Sequence, residues 1–103
     1  MTKETKRFIR QEPEHQYGDY YFSGQFLVTR GIEDLLTPGE ILAIYVEIQE
    51  LIKEKGGQDY LQVFKSKSGQ KLFFIDQLSN EMLDSGQYAK EHHHCTLMLA
   101  EEY

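Results

Sequence analysis

Cysteine is nearly missing from this 103-residue chain: Cys95 stands alone, so no internal disulfide forms. A reducing, cytoplasmic setting is the expectation that follows. Long apolar runs are missing as well, and none approaches the roughly 20 residues that span a bilayer. The opening residues, MTKETKRFIRQEPEHQ, have no apolar core of the kind a secretory signal carries. Neither a membrane nor an export route is expected. Fingerprints of chemistry are missing too: there is no Gly-x-Ser-x-Gly, no P-loop and no dinucleotide-binding glycine pattern. Gly56-Gly57 follows a helical segment instead of opening one, the wrong order for a phosphate cradle. Carboxylate pairs such as Glu33-Asp34 and Glu101-Glu102 are adjacent in sequence, a spacing that says nothing about acid–base tuning. No enzymatic activity and no cofactor are expected.

What is present fits one packed core. The composition is 40% hydrophobic and 27% charged, with seven Tyr and six Phe, which argues against disorder. A chain of this length buries roughly 60–70% of its unfolded surface, enough to fold unaided but not to wall a deep cleft. The net charge of −6 is uneven: residues 1–10 hold Lys3, Lys6, Arg7 and Arg10 against Glu4, and the remainder is strongly acidic. Such a body repels DNA, RNA and anionic lipid and suits a basic partner.

Residues 1–18 read as a polar, partly basic arm punctuated by Pro13 and Gly18, and residues 19–103 as a single domain. Tyr17, Tyr20, Tyr21, Phe22 and Phe26 lead into a short strand, Phe26–Arg30, ended by Gly31. These rings are able to stack on unpaired bases. Arg30 is the only Lys or Arg between residues 11 and 52, however, so direct nucleic-acid binding is not expected. A helix is predicted from Pro38 to Lys55. Thr37 caps it, Pro38 takes the first helical position and Glu40 completes a capping box; Gly56-Gly57 stops it. Ile41, Ile44, Tyr45, Ile48, Leu51 and Ile52 recur at helical spacing as its apolar face. Segments 59–67 and 70–76 alternate as two strands of a hairpin turning at Ser68-Gly69, and a last strand runs from Cys95 to Ala100. Residues 77–91 are polar and ambiguous, with one or two helical turns at Leu78, Met82 and Leu83 as one option. The sum is an α+β fold, an antiparallel sheet of about four strands against one long helix.

Three sets of residues compete as functional. His92, His93, His94 and Cys95 have metal-ligand chemistry, but on a strand alternate residues diverge, so at most two meet one ion. No metal site is expected; His92, His94 and Cys95 are the candidates were one present. At about 100° per residue, Glu40, Glu47, Glu50 and Glu54 fall in one stripe beside the apolar face. Glu33, Asp34 and Asp59 extend it. Leu42 and Val46 lie on a third side, where they meet either a curled sheet or another chain, a homodimer contact.

At Thr29-Arg30-Gly31-Ile32, Asp59-Tyr-Leu-Gln-Val-Phe64 and Thr96-Leu-Met-Leu-Ala-Glu-Glu-Tyr103 the chain resembles an uncharacterised family from Gram-positive bacteria, their phages and plasmids, catalogued as domain of unknown function 960. The resemblance covers residues 26–103 and implies a fold without implying an activity. The stretch from Gln77 to His94 departs from the family pattern. An origin on mobile elements implies a small inhibitor of a host defence system, such as an anti-CRISPR protein. Its partner would be a host protein with a basic nucleic-acid-binding surface, a Cas9-type effector being the example. The acidic stripe would occupy the basic channel in place of phosphates.

Overall fold

The computed structural model describes residues 7–16, 18–76 and 94–103. Expectations for residues 77–91, and the positions of Tyr17, His92 and His93, lie outside the described residues. The chain is α+β, with strands β1 (Phe8–Gln11) and β2 (Gln25–Val28), helices α1 (Arg30–Leu35) and α2 (Pro38–Lys55), and strands β3 (Leu61–Ser66), β4 (Lys71–Asp76) and β5 (His94–Leu99). A 3-10 turn, Ala100–Glu102, follows β5. No helix among the described residues is long and apolar enough to cross a membrane.

Thr37, Pro38 and Glu40 start α2 as a complete capping box, and Gly56, at φ 89°, ends it with its N–H on the Ile52 carbonyl. Ile44 and Ile48 are buried, and Ile41, Tyr45 and Ile52 pack against the same core. The hairpin turns through Gly69 at φ 95°, a backbone state glycine adopts without steric cost.

The sheet differs from expectation in three ways. Among the described residues it has five strands, in the order β1-β3-β4-β5-β2, where about four were expected. It is mixed: β2 runs parallel to β5 while every other neighbour pair is antiparallel. The added strand is β1, inside the segment that reads as a polar arm. Phe8 and Arg10 face the helix there, and Phe8 is buried. The strand expected at Phe26–Arg30 ends earlier, at Val28. Thr29 is the N-cap of α1, its Oγ1 accepting from the Ile32 amide, so Arg30 and Gly31 open a helix instead of closing a strand.

Register places Phe64 beside Leu72, Leu72 beside Leu99, and Phe74 beside Leu97 on the helix-facing side. Phe74 is fully buried; its ring lies 5.4 Å from Phe26, which in turn stacks on Tyr45 at 4.6 Å. Ile32, Leu36 and Phe22 belong to the same buried core. Phe22 sits at φ 47°, uncommon for a bulky residue. It is held from both sides of its backbone. Its N–H donates to buried Asp76 Oδ2 at 2.9 Å, and its carbonyl accepts from Gln49 Nε2 at 2.7 Å.

Candidate functional site

The acidic residues of α2 meet the two arginines of the N-terminal segment. Arg7 forks onto Glu40, with Nε to Oε2 and Nη2 to Oε1 both at 2.8 Å, and also donates to the Leu35 carbonyl. The same Glu40 accepts from the Thr37 amide at 2.9 Å. The Arg7 guanidinium first, and the capping contact second, pull the Glu40 carboxyl from 4.5 down to about 2. Its charge is already matched within the chain.

Farther along α2, Glu47, Glu50 and Glu54 line a groove of about 250 Å³ with Leu51 and Arg10. Arg10 reaches it from β1. Its Nε is fixed by the fully buried Gln62 at 2.7 Å, and its Nη1 lies 3.6 Å from Glu12. Glu50 and Glu54 are exposed, whereas Glu47 is half-buried and has a partner. These three glutamates therefore share one groove with Arg10, as their helical spacing allows.

The rest of the expected stripe does not join them. Asp59 is buried, its Oδ1 accepting from the Leu61 amide at 3.1 Å, so it shapes the approach to β3 and adds nothing to a surface. Glu33 and Asp34 are exposed on α1. Glu33 rims a different groove, of about 440 Å³, floored by Phe26, Val28, Leu36, Ile41 and Leu42. Leu42 and Glu47 stand about 140° apart around α2, five residues at 100° each. The two grooves thus occupy opposite flanks of the helix. Leu42 is 59% exposed and lines the apolar groove, and Val46, 40% exposed, stands about 40° from Glu50 around the helix.

The remaining metal candidates within the described residues diverge. Cys95 is fully buried against the helix side of the sheet, while His94 alternates to the other face. Burial, and then the nearby Asp76 carboxylate, push the Cys95 thiol up to about 12, which disfavours the thiolate that binds metals. Among the described residues no group of three or more His, Cys, Asp or Glu side chains is placed to hold a metal ion. His92 lies outside the described residues.

Two features escape a reading of spacing alone. The arginines Arg7 and Arg10 belong to the site, and their only signal is a short alternation around Phe8 in Arg7-Phe8-Ile9-Arg10. The second is a tie between distant segments. Glu102 accepts from Thr29 Oγ1 at 2.6 Å and from the Leu99 amide at 2.8 Å, with the Gly31 amide at 3.3 Å. These contacts hold the Glu102 carboxyl below the ordinary range. A side chain at Gly31 would meet Leu99 and Glu102 at 2.7 Å. Glu102 therefore ties the start of α1 to the end of β5. Compared with known proteins, the chain matches no family model, no curated protein and no solved structure.

Proposed function

We propose that this protein is a non-enzymatic interaction protein that presents the Glu47, Glu50 and Glu54 flank of α2 to a basic, nucleic-acid-handling protein. One observation carries the proposal: Glu47, Glu50 and Glu54 line one groove together with Arg10, on a chain of net charge −6. A partner presenting arginine or lysine in a phosphate-binding channel offers the complementary chemistry. Such a channel in a Cas9-type effector, where basic side chains track nucleic-acid backbone, is the partner the family resemblance favours. The protein would then compete with nucleic acid for the channel as an inhibitor of host defence. Matching of Glu40 by Arg7 and burial of Asp59 confine the contact to fewer residues than the sequence stripe contained.

The test is capture of a purified Cas9-type effector by the wild-type protein and by the doubly substituted Glu50→Lys/Glu54→Lys protein. Wild-type capture is expected at low salt, with loss of about tenfold or more in affinity on charge reversal and a steep decline with added salt. Equal capture by both proteins, or unchanged interference against a targeted plasmid in cells making the wild type, overturns the proposal.

A homodimer is the second arrangement, favoured by the exposure of Leu42 and Val46 beside an apolar groove. It predicts a doubled mass in solution that Val46→Asp halves.

A further inference from the structure

The two edges of the sheet are built differently. At the β1 edge, Gln11 Nε2 folds back onto the Ile9 carbonyl at 2.8 Å and Arg10 is tied to Gln62 and Glu12. Charged and polar side chains of this kind protect an edge against unwanted pairing. β2, at the other edge, reads Gln25-Phe26-Leu27-Val28, with no charge and no proline. Among the described residues no strand lies beyond it. The Thr29 amide donates to the Leu97 carbonyl at 3.1 Å. By strand alternation the amides of Leu27 and Thr29 face β5, and those of Phe26 and Val28 face outward. Directly beside this edge, on the helix side, lies the groove floored by Phe26, Val28, Leu36, Ile41 and Leu42, with exposed Glu33 at its rim.

We propose that the outer edge of β2 is a strand-addition site for an extended segment of a partner protein, one that places apolar side chains at alternate positions in the groove and a lysine or arginine against Glu33. An added strand lies about 4.8 Å from β2, and its residues opposite Phe26 and Val28 point to the same side of the sheet as they do. Main-chain pairing then supplies affinity, and the groove and Glu33 supply selection. A second copy of this chain is a poorer occupant. Its own β2 brings no cation to Glu33, and each copy carries a net charge of −6. The site uses none of the glutamates proposed to face the basic partner, so the two proposals stand or fall separately.

The probe is a panel of fluorescein-labelled, amidated heptapeptides alternating leucine and threonine, with lysine, glutamine or glutamate replacing one leucine so that it shares the face of Glu33, followed by anisotropy. The lysine peptide is expected to bind about fivefold or more tighter than the glutamate peptide. N-methylation of alternate peptide amides is expected to abolish binding. Glu33→Lys is expected to invert the lysine–glutamate order, and Leu42→Asp to weaken binding about tenfold; both residues are exposed, so the thermal midpoint is expected to stay put. Hydrogen exchange at the Phe26 and Val28 amides is expected to slow on peptide addition, and Glu50→Lys/Glu54→Lys to leave the lysine peptide bound. Three results overturn the proposal: no binding by any peptide at millimolar concentration, binding indifferent to N-methylation, or a doubled mass with these amides protected in the peptide-free protein.

Discussion

Single side chains settle much of what this protein does with its charge. Cys95 is the clearest case. Alternation along its strand places it opposite His94, and the fold places it in the core, where a neutral thiol is favoured. Because its folded value is raised from 9.0 to about 12, the folded state loses stability relative to the unfolded as pH rises above about 9. Disulfide-exchange reagents at mildly alkaline pH are expected to label it only at the rate of unfolding, and fast stoichiometric labelling of the native protein would contradict its burial. Glu40 behaves in the opposite sense. Its depressed value means that its contribution is full above about 4.5 and is lost as pH falls toward about 2. Acid unfolding of Arg7→Ala is therefore expected to begin at higher pH than that of wild type, and Glu40→Gln to flatten the stability profile across that window. The pairing of Glu40 with an arginine 33 positions earlier was not legible in the sequence. Periodicity locates residues on one element and is silent about which distant side chain arrives opposite them.

Among the elements, α2 was the most legible, because every local preference agrees: a capping box, Pro at the first position, an apolar stripe and a glycine stop. Thr37→Ala is expected to cost about 1 kcal/mol by chemical denaturation, as loss of a helix cap does elsewhere. The hairpin of β3 and β4 was legible for similar reasons, with Gly69 marking its turn. β1 was not. Its four residues hold one buried apolar side chain, Phe8, and an exposed one, Ile9, at 51%, so the alternation is too short to separate from a polar arm. α1 was missed because Thr29-Arg30-Gly31 reads equally well as the end of a strand. What decides between them is tertiary: Glu102 returns from beyond β5 to hold Thr29 and Gly31. Gly31→Val pushes the ends of Leu99 and Glu102 aside and is expected to destabilise the fold by about 1 kcal/mol, the scale of the hydrogen bond from Thr29 that Glu102 would give up. An unchanged denaturation midpoint would remove that tie from the account.

For the molecule as a whole, an uneven charge distribution becomes a division of labour between the flanks of one helix. The side facing β1 shares a groove of Glu47, Glu50 and Glu54 with Arg10, and the side facing β2 gathers apolar surface. Both flanks follow from helical spacing once the apolar face is assigned. Which sheet edge each flank would meet depends on strand order, and strand order is set by pairings between segments far apart in the chain. The parallel pairing of β2 with β5 is the extreme instance, since Phe26 takes its place beside Cys95. Among the described residues both outer strands, β1 and β2, precede β3, β4 and β5 in the chain. During synthesis on the ribosome, Phe26 and Val28 leave the exit tunnel long before their neighbour exists. The newborn chain must carry an apolar, pairing-competent stretch unprotected until β5 has been made, a window in which a chaperone has its best claim on it.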